Sequence, residues 1–215
     1  MRKLIYSIIL MLLSLVVFTT AVAAWFTPSA QYIDNIVVTT GTLDAQAKLY
    51  RIEDFNNDGI YDVVDGENIY TPINEIEIID MIPNDIYSYR LDVKNTGEAV
   101  GTLTVYFEDI QQELAEVLTY ESVVKDNQDS VVEGAGVSKQ IFSEENIFAQ
   151  FEGLEPLAQD MQLSIYFYIK FETLDELKAL NPTVFSEKDD LNEYQNMNFN
   201  IGKVIVYLEQ AVQQT

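Results

Sequence analysis

The chain has 215 residues, with 35 Asp and Glu against 12 Lys and Arg, a net charge of −23, and neither His nor Cys. Without imidazole or thiol there is no Ser-His-Asp or Cys-His nucleophile, no HExxH zinc site, no thiolate metal centre and no disulfide, so hydrolytic chemistry would rest on carboxylates or lysine alone. The acidic balance also argues against nucleic acid as a partner, because that binding depends on neutralising phosphates.

In chain order, Arg2 and Lys3 precede an almost unbroken apolar run from Leu4 to Val17 and small residues from Thr19 to Ala24. This is the layout of a secretion signal, and residues 1–24 are expected to be removed, because small residues end the segment where a retained helix would want bulk. The alternative is an uncleaved anchor, since Leu4 to Ala24 approaches the roughly 20 apolar residues that span a bilayer. Small-x-small spacing permits cleavage after Ala23 or after Ala24. The rest of the chain, about 190 residues, suits one domain. Its first stretch, Trp25 to Asp44, carries an apolar strand expected at the mature amino terminus. The acidic composition would keep such a secreted domain soluble, and would make self-association depend on screening, cations or strand pairing.

The β-branched and apolar runs Asn35–Leu43 and Gln46–Ile52 predict a hairpin turning at Asp44 and Ala45. Residues 54–65 follow as an inserted loop of calcium type. Oxygen-bearing side chains stand at Asp54, Asn56, Asp58, Asp62 and Asp65, Gly59 permits the sharp turn between them, and Ile60 would add its backbone carbonyl. Calcium takes six to eight oxygen ligands, and this spacing wraps such ligands around one centre. Asp65 is shorter than the bidentate glutamate of helix-loop-helix calcium proteins, so the stretch resembles the repeats of dockerins and thrombospondin-type modules. The alternative is an acidic turn on Asp58-Gly59, which uses less of the pattern.

Downstream, Glu75–Met81 predicts a strand and Pro83-Asn84-Asp85 a turn. Ile86–Val93 alternates, with Tyr87, Tyr89, Leu91 and Val93 on one face, and Thr102–Glu108 repeats the pattern across the Asn95-Thr96-Gly97 turn. Asp109–Leu118 takes a helical period with a capping box from Asp109 and Gln112. Residues 125–138 read as a mobile loop, and Val137–Phe142 and Phe148–Phe151 as short strands or turns. Met161–Phe171 is the cleanest strand. Thr173 and Glu176 cap a short helix that turns Leu174, Leu177 and Leu180 inward and ends at Asn181-Pro182. In the last strand, Met197–Glu209, the apolar parity slips at Gly202-Lys203, which predicts a β-bulge.

Ala23-Ala24-Trp25-Phe26 followed by Asn35 and Gly41-Thr42-Leu43-Asp44 resembles the opening of the TasA/camelysin family. Pro83-Asn84-Asp85 with Asn95-Thr96-Gly97 resembles the family's PGD…NTG pair, with Asn84 in place of glycine. Asn192-Glu193-Tyr194-Gln195 and Ala211-Val212-Gln213 are similar to its ending. The resemblance implies an all-β fold, a jelly-roll-like antiparallel β-sandwich over residues 39–215 with one or two short peripheral helices. It also implies a subunit secreted through a dedicated signal peptidase and polymerised into extracellular matrix fibres.

In such fibres the mature amino-terminal segment, here residues 25–38 with Trp25, Phe26, Tyr32, Ile33, Ile36 and Val38 as candidate anchors, completes the sheet of the next subunit. By physical reasoning this is β-augmentation, and a head-to-tail contact that does not close gives filaments. The partner would be a second copy of the chain, with accessory fibre or anchor proteins in addition, and calcium in a structural role. The same residues could instead form an ordinary first strand of their own domain.

Two rival classes stand beside this reading. One is a monomeric calcium-stabilised adhesin or glycan-binding module, with Tyr87, Tyr89, Tyr166 and Tyr168 as a binding face. The other is a camelysin-like peptidase. The absence of His departs from any zinc protease, and pairs such as Glu144-Glu145 and Asp189-Asp190 read as solvated charge, so no catalytic residue is assigned.

Overall fold

Leu163, Ile165, Phe167, Ile169 and Phe171 occupy every second position of one strand and are all fully buried, which is how a period of two turns one face of a sheet to the core. The computed structural model describes residues 29–33, 36–40, 44–54, 63–64, 67–97, 100–143, 146–151 and 157–210. Their strands are β1 (Ser29–Ile33), β2 (Ile36–Thr40), β3 (Ala45–Ile52), β4 (Val63–Val64), β5 (Glu67–Asn68), β6 (Tyr70–Ile73), β7 (Ile76–Ile78), β8 (Ile86–Asn95), β9 (Gly101–Ile110), β10 (Leu118–Lys125), β11 (Gln140–Ile141), β12 (Asn146–Phe151), β13 (Gln162–Phe171) and β14 (Phe199–Gln210). The described helices are short: α1 (Gln112–Ala115), α2 (Leu174–Leu180) and α3 (Pro182–Phe185).

The fold is an all-β sandwich of two sheets. The first runs β1-β2-β14-β9-β12 with β7 also on β14, and the second runs β11-β10-β13-β8-β3-β6. From β8 onward the long strands β8, β9, β10, β12, β13 and β14 alternate between the two sheets, which is the jelly-roll-like way of wrapping a chain around one core. A chain of aromatic rings joins the sheets. Phe107 of β9 lies 4.1 Å from Phe148 of β12, and Phe148 lies 4.7 Å from Phe167 of β13, which in turn stacks on Tyr89 of β8 at 5.2 Å. Each such ring contributes about 1.5–3 kcal/mol by leaving water.

Several sequence expectations take a different form. β2 and β3 do not make a hairpin, because they belong to opposite sheets, and β8 and β9 likewise face one another across the core. Both crossovers follow from alternation: two strands apolar on one face can bury those faces against each other as well as side by side. The expected helix at 109–118 shrinks to α1. Asp109 takes a φ of 56° at the end of β9, and no side chain caps the helix at Gln111. At α2 the Thr173–Glu176 capping box is present, with Leu177 buried, but Leu180 is exposed and a new turn starts at Pro182.

The loop after β10 is tied to both neighbouring edges. Ser122 N donates to Val137 O at 3.0 Å and Gln150 N to Ala135 O at 2.9 Å. Gly136 is required there, since a Cβ would lie 2.3 Å from the Ser122 carbonyl oxygen. No described helix is long and apolar enough to cross a membrane; residues 1–24 lie outside the described residues.

Candidate functional site: an assembly edge and a polar groove

β14 has two pairing edges. One runs antiparallel to β9, from Ile201 opposite Ile110 to Gln210 opposite Gly101. The other is divided. β7 pairs antiparallel with Phe199–Ile201, and β2 pairs parallel with Val204–Leu208. This is the one parallel pairing among the described strands. Of the predicted anchors, Ile36 stands opposite Val204 and Val38 opposite Val206, both core positions of β14. In β1, Tyr32 is opposite Val37 and Ile33 opposite Ile36. Trp25 and Phe26 lie outside the described residues.

The fold therefore brings four of the predicted anchors to one side of the first sheet, Ile36 and Val38 directly on β14 and Tyr32 and Ile33 one strand farther out, on β1. The row of β14 that β2 pairs with, Val204, Val206 and Leu208, was not singled out from the sequence as a site. Its signal was the parity slip at Gly202-Lys203. No bulge occurs there: the β9 register is continuous from Ile201 to Lys203, and both strands change face together where Asp109 meets Gly202.

The calcium-type loop leaves from the edge of the second sheet. Ile52 of β3 pairs with Tyr70 of β6, and Glu53 N donates to Ile69 O at 3.0 Å, so the stem is closed. Asp54 is buried just above that stem. Farther out, Val63 and Val64 pair with Asn68 and Glu67. Asn56, Asp58, Ile60, Asp62 and Asp65 lie outside the described residues, as do Glu144 and Glu145.

The second sheet carries a feature the sequence did not announce. A groove of about 430 Å³ on its outer face is lined by Ile86, Thr119, Glu121, Lys139, Tyr168, Lys170 and Glu172. Glu172 is fully buried at its floor. Lys139 Nζ lies 2.5 Å from Oε1, the Thr119 hydroxyl donates to the same oxygen at 2.6 Å, and Lys170 Nζ is 2.9 Å from Oε2. Lys170 also donates to Glu176 at 3.0 Å, which ties α2 to β13. The network it shares with Glu172, and then the Lys170 ammonium, hold the Glu176 carboxyl well below the usual carboxylate range. Burial pulls Lys170 down, but its bonds to Glu172 and Glu176 outweigh that and raise it. The spacing Lys170-x-Glu172-x₃-Glu176 was the available sign of this network.

Beside the groove the same outer face holds rings and fixed charges. Tyr166 and Tyr168 are half-exposed here, whereas Tyr87 and Tyr89 point into the core, so the four tyrosines do not make one binding face. Arg90 donates to both oxygens of Asp92 at 2.7 and 2.9 Å. Its guanidinium lies 5.0 Å from the centre of the Tyr70 ring and 5.6 Å from that of Tyr166. Burial pushes the Tyr166 hydroxyl up to about 12, against the pull of Arg90.

No family model matches the chain, and no curated protein matches it. The solved structure of the enzymatically active domain of bacteriophage CBA120 tailspike protein 4 is similar at a TM-score of 0.31 and 10% identity, over 85% of this chain and 19% of that one. AvmM, which catalyses macrocyclization in alchivemycin A biosynthesis, is similar at a TM-score of 0.23 and 12% identity, over 73% of this chain and 98% of that one. The chain thus spans about a fifth of the tailspike chain it is compared with, and both scores are too low to bear on function.

Proposed function

We propose that this protein is a secreted structural subunit that polymerises into extracellular matrix fibres by passing its mature amino-terminal strand to the next copy. The observation that carries this reading is the parallel seat of β2 on β14, five residues long and reached through residues 41–44. A strand seated by backbone pairing can make the same pairs to the β14 of another copy, with Ile36 and Val38 standing opposite Val204 and Val206. Exchange from copy to copy does not close on itself, so it yields a filament.

Calcium fits this reading as a structural ion at residues 54–65. The closed stem below Asp54 supports it, since a loop with its ends held pays less entropy on ordering around an ion. The protein is taken as non-enzymatic, in keeping with a chain that has neither His nor Cys.

The test is negative-stain electron microscopy of the purified chain from Trp25 onward, incubated with calcium and with a chelator. Filaments in either sample are expected. Monodisperse particles in both would replace the fibre reading with a monomeric surface module.

A further inference from the structure

We infer that the outer face of the second sheet binds a neutral polysaccharide. The face lies on the opposite sheet from the β14 edge, so the inference stands apart from strand exchange.

Three observations carry it. The first is the placement of rings. Tyr166 on β13, Arg90 on β8 and Tyr50 on β3 share one rung of the sheet, Tyr70 of β6 closes over Arg90, and Tyr168 stands two residues along β13 on the same face. All four tyrosines are half-exposed, and Tyr168 forms a wall of the 430 Å³ groove, a volume within the usual range of small-ligand sites. A pyranose offers an apolar C–H face to such a ring and its hydroxyls to the polar groups around it.

The second is the way those polar groups are held. Asp92 is fixed by Arg90 and by the Ser164 hydroxyl at 2.7 Å, and Glu172 by two lysines and Thr119. Donors and acceptors set in advance lose little freedom when a ligand hydroxyl joins them.

The third is charge. The whole chain carries −23, yet on this face most cations are matched, Arg90 with Asp92, Lys94 with Asp160, Lys125 with Asp129, and Lys139 and Lys170 with Glu172 and Glu176, while Lys48 on β3 and Glu121 on β10 add one charge of each sign. A locally balanced face on an acidic protein suits an uncharged polyhydroxyl chain. A polyanion would meet a repulsive surrounding field and a face whose cations are balanced by carboxylates.

Affinity electrophoresis tests this. The purified chain is run in native gels containing xyloglucan, laminarin or dextran, with alginate and double-stranded DNA as charged counterparts. Retardation in at least one neutral gel is expected. There Tyr168→Ala should weaken binding about fivefold, the scale of one lost ring contact, and Glu121→Ala should also weaken it. Tyr207→Ala, an exposed tyrosine on the other sheet, should leave it unchanged. Thermal unfolding of each variant checks that it is folded. The inference is overturned by absence of retardation in all three neutral gels, by retardation in alginate or DNA alone, or by folded Tyr168→Ala and Glu121→Ala variants that bind like the parent.

Discussion

Gly202 of β14 faces Asp109 of β9 so closely that a Cβ on Gly202 would lie 2.7 Å from the Cβ of Asp109. Asp109 is in the left-handed region, with φ 56°. At this rung both strands turn over together. Phe199 and Ile201 face the core before it, and Val204, Val206 and Leu208 after it. The close approach therefore sets the orientation of the row on which β2 sits.

Gly202→Ala is expected to lower stability by about 1–3 kcal/mol, the usual cost of overpacking, read as a fall in the urea midpoint. Asp109→Gly removes the opposing Cβ and suits the left-handed backbone. The double variant should regain most of the loss; independent, additive losses would mean the contact is not the cause.

Acid should weaken the clamp between α2 and β13. Glu176 is depressed by the network it shares with Glu172 and then by Lys170. Its contribution is therefore complete above its ordinary value of 4.5 and is lost as pH falls from there through the lower folded value. Glu176 is 40% exposed, which limits the effect to about 1 kcal/mol or less. Urea midpoints between neutral pH and acid should fall less steeply in Glu176→Gln than in the parent; parallel curves would exclude the linkage.

Strand exchange can be read from cross-links, because the chain has no cysteine of its own. Val37 and Ile205 are opposite each other across β2 and β14. Mixing chains that carry only Val37→Cys with chains that carry only Ile205→Cys should yield disulfide-linked dimers under filament-forming conditions. The two changes in one chain should give intramolecular bonds in the monomer. Dimers absent from the mixture while filaments are present would point to another contact.

Calcium at residues 54–65 should stabilise the folded chain by mass action, about 2.7 kcal/mol at a concentration 100 times its dissociation constant. The melting temperature is expected to rise with calcium in the parent and to stay fixed in Asp58→Ala. An equal rise in both would place the ion elsewhere.

Strands, their inward residues and the α2 cap were legible in the sequence because each depends on neighbours two to four positions away. Alternation identified β8, β9 and β13, and Thr173 with Glu176 marked α2. Local pattern does not say which sheet a strand joins, since one apolar face can be buried across the core or alongside. That choice separated β2 from β3 and set β2 on β14 instead, which only long-range pairing decided.

The same limit applies to chemistry. Composition alone removed His- and Cys-based catalysis. The meeting of Thr119, Lys139 and Glu172, and of Arg90 with Tyr70 and Tyr166, joins positions far apart in the chain. It exists only because β10, β13, β8 and β6 lie in one sheet, where backbone pairing brings distant residues onto one face.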